Sequence, residues 1–416
     1  MNLKELHVFD PNTKDQWLKA IQKELGERSL ESLNWSPEPG IEMEPYYTHA
    51  TSSAEAALGV FPFHIHQQVT ADGAEAARTQ ALMCLAGGAQ SIGFLQAPDP
   101  HEMDASLAEI EWPYIQLHWQ NIPLTISYAK SLHAYADQRG WQSNTLQGLL
   151  GNDARILWSD NWDVEAVRYY QQAFPRCRLF YIDGVALART GASAVMQVAA
   201  ILGQAQEALF RLTSAGFTID EASAMLQIQT SSDTSYFLEI TKIRVIRHLF
   251  AELVASYAPE HACSQSIFIH AVTGVTSYST TDTNTNLLRA TTAAMSAAIG
   301  QASSIEVQPH DPTADPVQAL RWARNILHLL REESYMDSAL HAAQGSYYLE
   351  HMFGQMAEQA WNSLVEMEEH GGWTMQETAW QKAAQTIGAS TEEAIRSGQK
   401  IRVGVNKYQV KANAKS

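Results

Sequence analysis

The sequence predicts an α/β protein whose central domain is a (β/α)8 TIM barrel, and three observations lead to that prediction. Eight short apolar segments alternate with helical segments between residues 60 and 307. Strands that alternate with helices run parallel, and eight of them over about 250 residues suit a closed barrel. An open doubly wound sheet would carry a Gly-rich phosphate turn after its first strand, and the segment HIHQQVTADG contains none.

Each predicted element rests on its local pattern. The strands are short apolar runs bounded by turn residues, and they span 60–68, 91–96, 115–118, 146–150, 178–182, 225–228, 267–271 and 303–307. The helices carry apolar residues at helical spacing, and they span 73–85, 127–138, 164–173, 191–215, 236–256 and 284–298. The helix over 236–256 is the clearest, because its apolar residues recur around the charged Lys242, Arg244 and Arg247.

Two further regions flank the predicted barrel, which spans residues 51–311. Residues 1–50 form an N-terminal arm, with a short helix that begins near Asp15 and ends at Gly26, followed by a turn at residues 37–40. This arm either wraps a partner or caps its own domain, and the pattern favours neither. Residues 312–416 form a C-terminal helical extension, with helices predicted over 315–331 and 346–369.

Composition restricts the partners and the compartment. The formal net charge of −17 argues against nucleic acid, because that affinity comes mainly from Lys and Arg on phosphates. The N-terminus has no apolar signal region, and no apolar run approaches the roughly 20 residues that span a bilayer. The three cysteines are far apart in the sequence and odd in number, which suits a reducing compartment. We therefore predict a cytoplasmic protein with no nucleic-acid or membrane partner.

A series of segments resembles the methylmalonyl-CoA mutase family and follows the family's order. The segments are YFLEITKIRVIRHLFAELV (236–254), TNTNLLRATTAAMSAAIGQASSI (283–305), QALRWARNILHLLREES (318–334), GSYYLEHMFGQMAEQAW (345–361) and VEMEEHGGW (365–373). LFYIDGVALARTGAS (179–193) resembles the family's fifth barrel strand, and RVGVNKYQV (402–410) resembles its terminal strand in this region. The resemblance covers nearly the whole chain and implies the same barrel fold.

The same resemblance implies that the family's catalytic groups are missing from this chain. The family's active-site His falls on Ala186, and a methyl group neither donates a hydrogen bond nor carries a proton. An active-site Tyr falls on Gln68, while a Thr and a Gln that contact substrate fall on Leu149 and Gly151. A further family Gln falls near Leu327, and a loop with a carboxylate-binding Arg is shortened to residues 158–162. We therefore expect no catalytic residue here.

The resemblance implies the small, non-catalytic subunit of a heterodimeric adenosylcobalamin-dependent methylmalonyl-CoA mutase, which interconverts methylmalonyl-CoA and succinyl-CoA. The family's cobalamin-binding domain is marked by D-x-H-x-x-G, and the nearest match, residues 99–104, ends in Asp and reads as a polar loop. We therefore expect no cobalamin-binding domain, cofactor or metal in this chain. A large catalytic subunit would carry the adenosylcobalamin, and this chain would stabilise it.

Two other functions remain open. His64 and His66 share one face of the first predicted strand, so they could chelate a metal in a stand-alone barrel hydrolase. That chemistry needs further ligands at later strand ends, where His310 and the following Asp311 supply the one match. The second alternative is a homodimeric barrel whose cavity binds a ligand. Cys177 lies between two arginines but has no partner base in the pattern, so we expect it to be inert.

Overall fold

The computed structural model describes residues 13–48, 62–159, 161–274, 276–338 and 341–409, with a closed eight-stranded barrel at its centre. All neighbouring barrel strands run parallel and the last strand pairs with the first, which confirms the predicted (β/α)8 fold. The arm forms β1 (Trp35–Glu38) and β2 (Ile41–Met43), and the barrel consists of β3 (His64–Gln68), β4 (Ser91–Phe94), β5 (Gln116–Trp119), β6 (Gly148–Asp153), β7 (Cys177–Asp183), β8 (Leu226–Ser232), β9 (Phe268–Thr273) and β10 (Ser304–Glu306).

The helices agree closely with the predicted ranges. They are α1 (Lys14–Leu25), α2 (Ala74–Ala86), α3 (Met103–Leu107), α4 (Ile126–Gln138), α5 (Val164–Ala173), α6 (Gly184–Thr190), α7 (Ala194–Ser214), α8 (Ile219–Ala224), α9 (Tyr236–Ala255), α10 (Thr285–Ile299), α11 (Pro316–His328), α12 (Tyr347–Glu369) and α13 (Trp373–Arg396). The prediction gave no range for the long C-terminal helix α13, and it missed the short helices α3, α6 and α8. Residues 60 and 61 of the first predicted strand, and residue 160 in the loop at 158–162, lie outside the described residues.

The described part of the arm packs on its own chain. β1 and β2 pair antiparallel, and Ile41 and Met43 are fully buried. The side chain of Gln355 on α12 accepts from the backbone N–H of Glu42 at 3.0 Å, and its amide group donates to the Glu42 carbonyl at 2.8 Å. The Glu38 carboxylate accepts two backbone N–H groups at the start of α7, at 2.7 and 3.0 Å, where the helix dipole favours negative charge.

The terminal strand implied by the resemblance over residues 402–410 is wrong. Among the described residues, this segment holds one isolated bridge, between Val403 and Lys407, and is otherwise a turn that follows α13. Asn406 explains the turn, because its side chain accepts from the Arg402 N–H at 2.8 Å and donates to the Ile395 and Lys400 carbonyls at 2.6 and 2.7 Å. These bonds satisfy backbone groups that a strand would otherwise pair with a neighbour.

α9 is the helix that ties the outer layer of the barrel together. Its three cations Lys242, Arg244 and Arg247 are buried. Lys242 donates to the side-chain oxygen of Gln197 on α7 at 2.9 Å, and Arg244 forms an ion pair with Glu350 of α12 at 2.8 Å. Arg247 donates to the carbonyls of Ile267 at 2.6 Å and Gln301 at 2.7 Å, which precede β9 and β10. The three cations therefore attach α9 to different parts of the fold.

No helix in the described ranges combines the length and apolarity needed to cross a membrane. This finding agrees with the expectation drawn from the sequence that no apolar run is long enough.

Arg247→Ala is expected to lower the free energy of unfolding by about 2–4 kcal/mol, because it leaves two buried carbonyl oxygens unpaired and opens a cavity. Urea unfolding followed by circular dichroism measures this loss. Arg396→Ala is the control, because Arg396 is exposed on α13 and pairs only with Glu393 one turn away. Equal stabilities of the two variants would contradict the role given to Arg247.

Candidate functional site

Three histidine rings from non-adjacent strands meet inside the barrel. The ring centroids of His66 on β3 and His270 on β9 lie 4.5 Å apart, and those of His66 and His118 on β5 lie 5.1 Å apart. β4 separates β3 from β5, and β10 separates β3 from β9, so these contacts cross the barrel interior. All three residues are buried. Imidazole rings therefore fill the barrel interior at this level, where other TIM barrels usually have apolar branched side chains.

Serine hydroxyls orient two of these imidazoles toward one carboxylate. Nδ1 of His66 lies 2.7 Å from the Ser91 hydroxyl, and Nδ1 of His270 lies 2.7 Å from the Ser304 hydroxyl. The two Nε2 atoms therefore face Glu306 Oε2, at 3.9 Å for His66 and 3.4 Å for His270. His66, His270 and Glu306 form a group in which the three potential ligand atoms lie within 4.8 Å of one another.

A second polar cluster fills the barrel toward the N-terminal ends of its strands. The Arg178 guanidinium donates to the side-chain oxygens of Gln227 at 2.9 Å and Gln116 at 3.1 Å, and it lies 3.8 Å from the centre of the Phe268 ring. The Gln116 amide nitrogen lies 3.0 Å from His64 Nε2. His64, Gln116, Arg178 and Phe268 line a cavity of about 330 Å³ that opens at the bottom of the barrel. The Arg178 guanidinium is thus held by a cation–π contact and two amide oxygens, and among the described residues it forms no ion pair with a carboxylate.

Burial sets the charge state of these groups. It lowers the pKa of His66 and His118 well below the usual value, and it lowers the pKa of His64, with Arg178 adding repulsion at His64 and His118. Burial also lowers the pKa of Arg178 to about 10, so the guanidinium is still charged at neutral pH. His64, His66 and His118 are therefore neutral at pH 7 and act as hydrogen-bonding groups.

The structure separates the two histidines that the sequence grouped. His64 lies in the cluster with Gln116 and Arg178, whereas His66 joins His270 and Glu306. His310 lies elsewhere, with its ring against Trp322 at a centroid distance of 5.0 Å. His270 and Glu306 were missed, although each falls inside a predicted strand. Period-two alternation along those strands places polar residues on the face that points into the barrel, and that signal was available.

Cys177 is inert, as expected. Its side chain is buried and donates to the Leu146 carbonyl at 3.4 Å. Burial raises its pKa to about 12, and the flanking arginines only partly offset this rise. The thiolate, which is the nucleophilic form, is therefore absent at neutral pH.

Comparison with known proteins identifies the family. The family model described as methylmalonyl-CoA mutase matches residues 101–416. The chain belongs to the methylmalonyl-CoA mutase family. The Porphyromonas gingivalis methylmalonyl-CoA mutase small subunit is 27% identical over 96% of this chain and 70% of its own length. A Cereibacter sphaeroides methylmalonyl-CoA mutase is 25% identical over 95% of this chain and 64% of its own length.

Two further matches each cover less than three quarters of this chain. A probable methylmalonyl-CoA mutase large subunit from Mycobacterium tuberculosis is 31% identical over 58% of this chain, which is 33% of that protein's length. Among solved structures, the Yersinia pestis dihydropteroate synthase covers 72% of this chain and 99% of its own, with 11% identity and a TM-score of 0.32. That score is too low to support any inference.

Three of the positions that the sequence resemblance matches to family active-site residues lie on barrel strands. Gln68 ends β3, half-buried, and a Cβ atom added to Gly93 would lie 2.3 Å from its Oε1. Leu149 is fully buried and pairs in register with His118 and Arg178, which places it inside the barrel. A Cβ atom added to Gly151 would lie 2.4 Å from Leu149 Cδ1, so Leu149 occupies the space beside it. Leu327 is buried in α11.

Ala186 lies beyond the barrel strand of segment 179–193, which the sequence matched to the family's fifth strand. It is exposed in α6, a separate helix that begins at Gly184 directly after β7 and ends before α7. The Asp183 carboxylate caps α6, because it accepts from the Ala186 N–H at 2.9 Å. Ala186 lines a cavity of about 110 Å³, which residues of α13 complete.

Gly93→Ala tests how completely side chains fill the barrel interior of this chain. The new methyl group would lie 2.3 Å from Gln68 Oε1 and 2.7 Å from His66 Nε2, so we expect a loss of about 1–3 kcal/mol in the free energy of unfolding. Urea unfolding measures the loss. Gln68→Ala removes the nearer contact, so the double variant should lose less than the sum of the two single losses. If Gly93→Ala left the free energy of unfolding unchanged, the barrel interior would have space for the added methyl group.

Proposed function

We propose that this chain is the small, non-catalytic subunit of a heterodimeric methylmalonyl-CoA mutase and that it stabilises the large subunit. The observation that carries the proposal is the filled barrel interior, where His66, His118 and His270 are in ring contact across the axis. An extended thioester has no path through that layer. The full-length similarity to a mutase small subunit supports the same assignment.

The four positions that the resemblance matches to family active-site residues also lack the chemistry of acyl-CoA rearrangement. A thioester carbonyl and a carboxylate need hydrogen-bond donors or cations, and Leu149, Gly151 and Ala186 supply none from their side chains. Gln68 is the one amide at these positions, and its nitrogen donates weakly to the Val69 carbonyl at 3.4 Å. We therefore propose that substrate binding and the interconversion of methylmalonyl-CoA and succinyl-CoA take place in the partner subunit.

The residues around Ala186 do not fit adenosylcobalamin. The cavity there measures about 110 Å³, which holds a few water molecules, at roughly 30 Å³ each, and excludes a corrin macrocycle. Arg155 and Trp373 line this cavity, and Arg155 is held by Asp153 through contacts of 2.6 and 2.9 Å. We propose that the chain binds no adenosylcobalamin and that the large subunit carries this cofactor. A cytoplasmic location is part of the same proposal.

Co-expression with a large mutase subunit tests the proposed assembly. We expect a one-to-one complex in size-exclusion chromatography with light scattering, with mutase turnover and a corrin spectrum that require the large subunit. The chain alone should show neither property. A stable homodimer that does not bind the large subunit would favour the alternative, a homodimeric ligand-binding barrel. Mutase turnover by the isolated chain would contradict the proposal.

Ala186→His places an imidazole at the position where the resemblance puts the family's active-site His. Because Ala186 is exposed, the variant should fold like the parent, and near-ultraviolet circular dichroism checks this. We expect no mutase turnover from the folded variant supplied with adenosylcobalamin and methylmalonyl-CoA, since the barrel axis is still filled. Measurable turnover would show that the loss of one residue explains the inactivity.

A further inference from the structure

We propose that the barrel interior binds one divalent transition-metal ion of the Zn²⁺ type through His66 Nε2, His270 Nε2 and Glu306 Oε2. The proposal is independent of the proposed mutase role, because it assigns no step of that reaction to the ion. It rests on the geometry of a buried cluster on three consecutive strands, in the order β9, β10 and β3.

The separations of the three atoms suit a shared ion. Ligands at 2.0–2.1 Å from a tetrahedral Zn²⁺ lie roughly 3.3 Å apart. The Glu306 oxygen lies 3.4 Å from His270 Nε2 and 3.9 Å from His66 Nε2. Small rotations of the side chains therefore bring all three atoms to bonding distance, and a fourth position is left for water.

The surrounding hydrogen bonds present each ligand in the correct orientation. The Ser91 and Ser304 hydroxyls hold Nδ1 of the two imidazoles, which leaves both Nε2 atoms directed at the shared point. The Gln308 amide donates to the other oxygen of Glu306 at 2.5 Å, which leaves Oε2 for the ion. Metal-binding histidines in proteins are characteristically fixed through their second nitrogen in this way.

Hydrogen bonding within the trio does not account for the cluster. Contacts of 3.4 and 3.9 Å exceed the 2.7–3.2 Å of ordinary N–H···O bonds. Among the described residues, no Lys or Arg forms an ion pair with Glu306, and Arg178 is held by Gln116 and Gln227 instead. A buried carboxylate without a close cation is costly, and a divalent ion between the three atoms removes that cost.

The ligand set selects the class of ion. Two imidazoles and one carboxylate favour Zn²⁺ and similar first-row divalent ions over Mg²⁺ and Ca²⁺, which prefer oxygen ligands. Bound there, the ion would cross-link the strands at which the barrel closes. It would therefore stabilise the folded chain by an amount that rises with the logarithm of the ratio of its free concentration to its dissociation constant, once that ratio exceeds one.

Metal titration of the full chain tests the proposal. Protein stripped with a chelator and dialysed is titrated with Zn²⁺ by calorimetry and with Co²⁺ by visible absorption, and bound metal is counted by mass spectrometry. We expect one ion per chain, four-coordinate Co²⁺ bands, and a melting temperature that rises with Zn²⁺. His270→Gln and Glu306→Gln should abolish this binding, and Ser304→Ala should weaken it by about 10- to 100-fold.

His118→Gln is the matched control, because His118 is equally buried and touches His66 but lies outside the trio. It should keep one ion per chain with nearly unchanged affinity. Absence of stoichiometric binding in the folded parent chain overturns the proposal, and this result depends on no variant. Equal binding by the parent and by folded His270→Gln or Glu306→Gln overturns it as well, because the ion then sits elsewhere.

Discussion

Mutual hydrogen bonding among polar side chains inside the barrel is the constraint on which the rest of the structure depends. Each imidazole needs a partner when it leaves water, and Ser91, Ser304 and Gln116 supply one each. The imidazoles and their partners together come from five strands, so the strand register around the barrel must be kept for these bonds to form. This network stabilises the fold and, by occupying the axis, removes the space that a long substrate requires.

The same principle explains the structural role of α9, the segment that resembles the family's helical motif. Lys242 donates to Gln197 of α7 at 2.9 Å, Arg244 pairs with α12, and Arg247 holds the carbonyls before β9 and β10. Each cation is buried, and removing any one leaves unpaired polar groups in the interior. These residues of the motif therefore hold the barrel and its outer helices together, which a non-catalytic subunit needs as much as an enzyme.

Periodicity predicted the fold because strands and helices alternate with clear apolar patterns, and α5 matches its predicted range at both ends. The site was harder to predict because it depends on closure of the barrel. Glu306 and His66 are 240 positions apart in sequence and become neighbours only when β10 pairs with β3. α6 was missed because it is a short helix that follows β7 directly and is fixed by a local side-chain cap, the bond from the Ala186 N–H to the Asp183 carboxylate. The terminal strand expected over 402–410 was wrong for a similar local reason, because the side chain of Asn406 forms hydrogen bonds that hold the segment in a turn.

The most direct test of the filled barrel is titration calorimetry of the purified chain with coenzyme A and with methylmalonyl-CoA, followed by hydrogen exchange of the mixtures. The account predicts no binding up to millimolar ligand and no change of exchange in β3, β5 or β9, because His66, His118 and His270 occupy the axis. Micromolar binding of either ligand, with new protection of those strands, would contradict it.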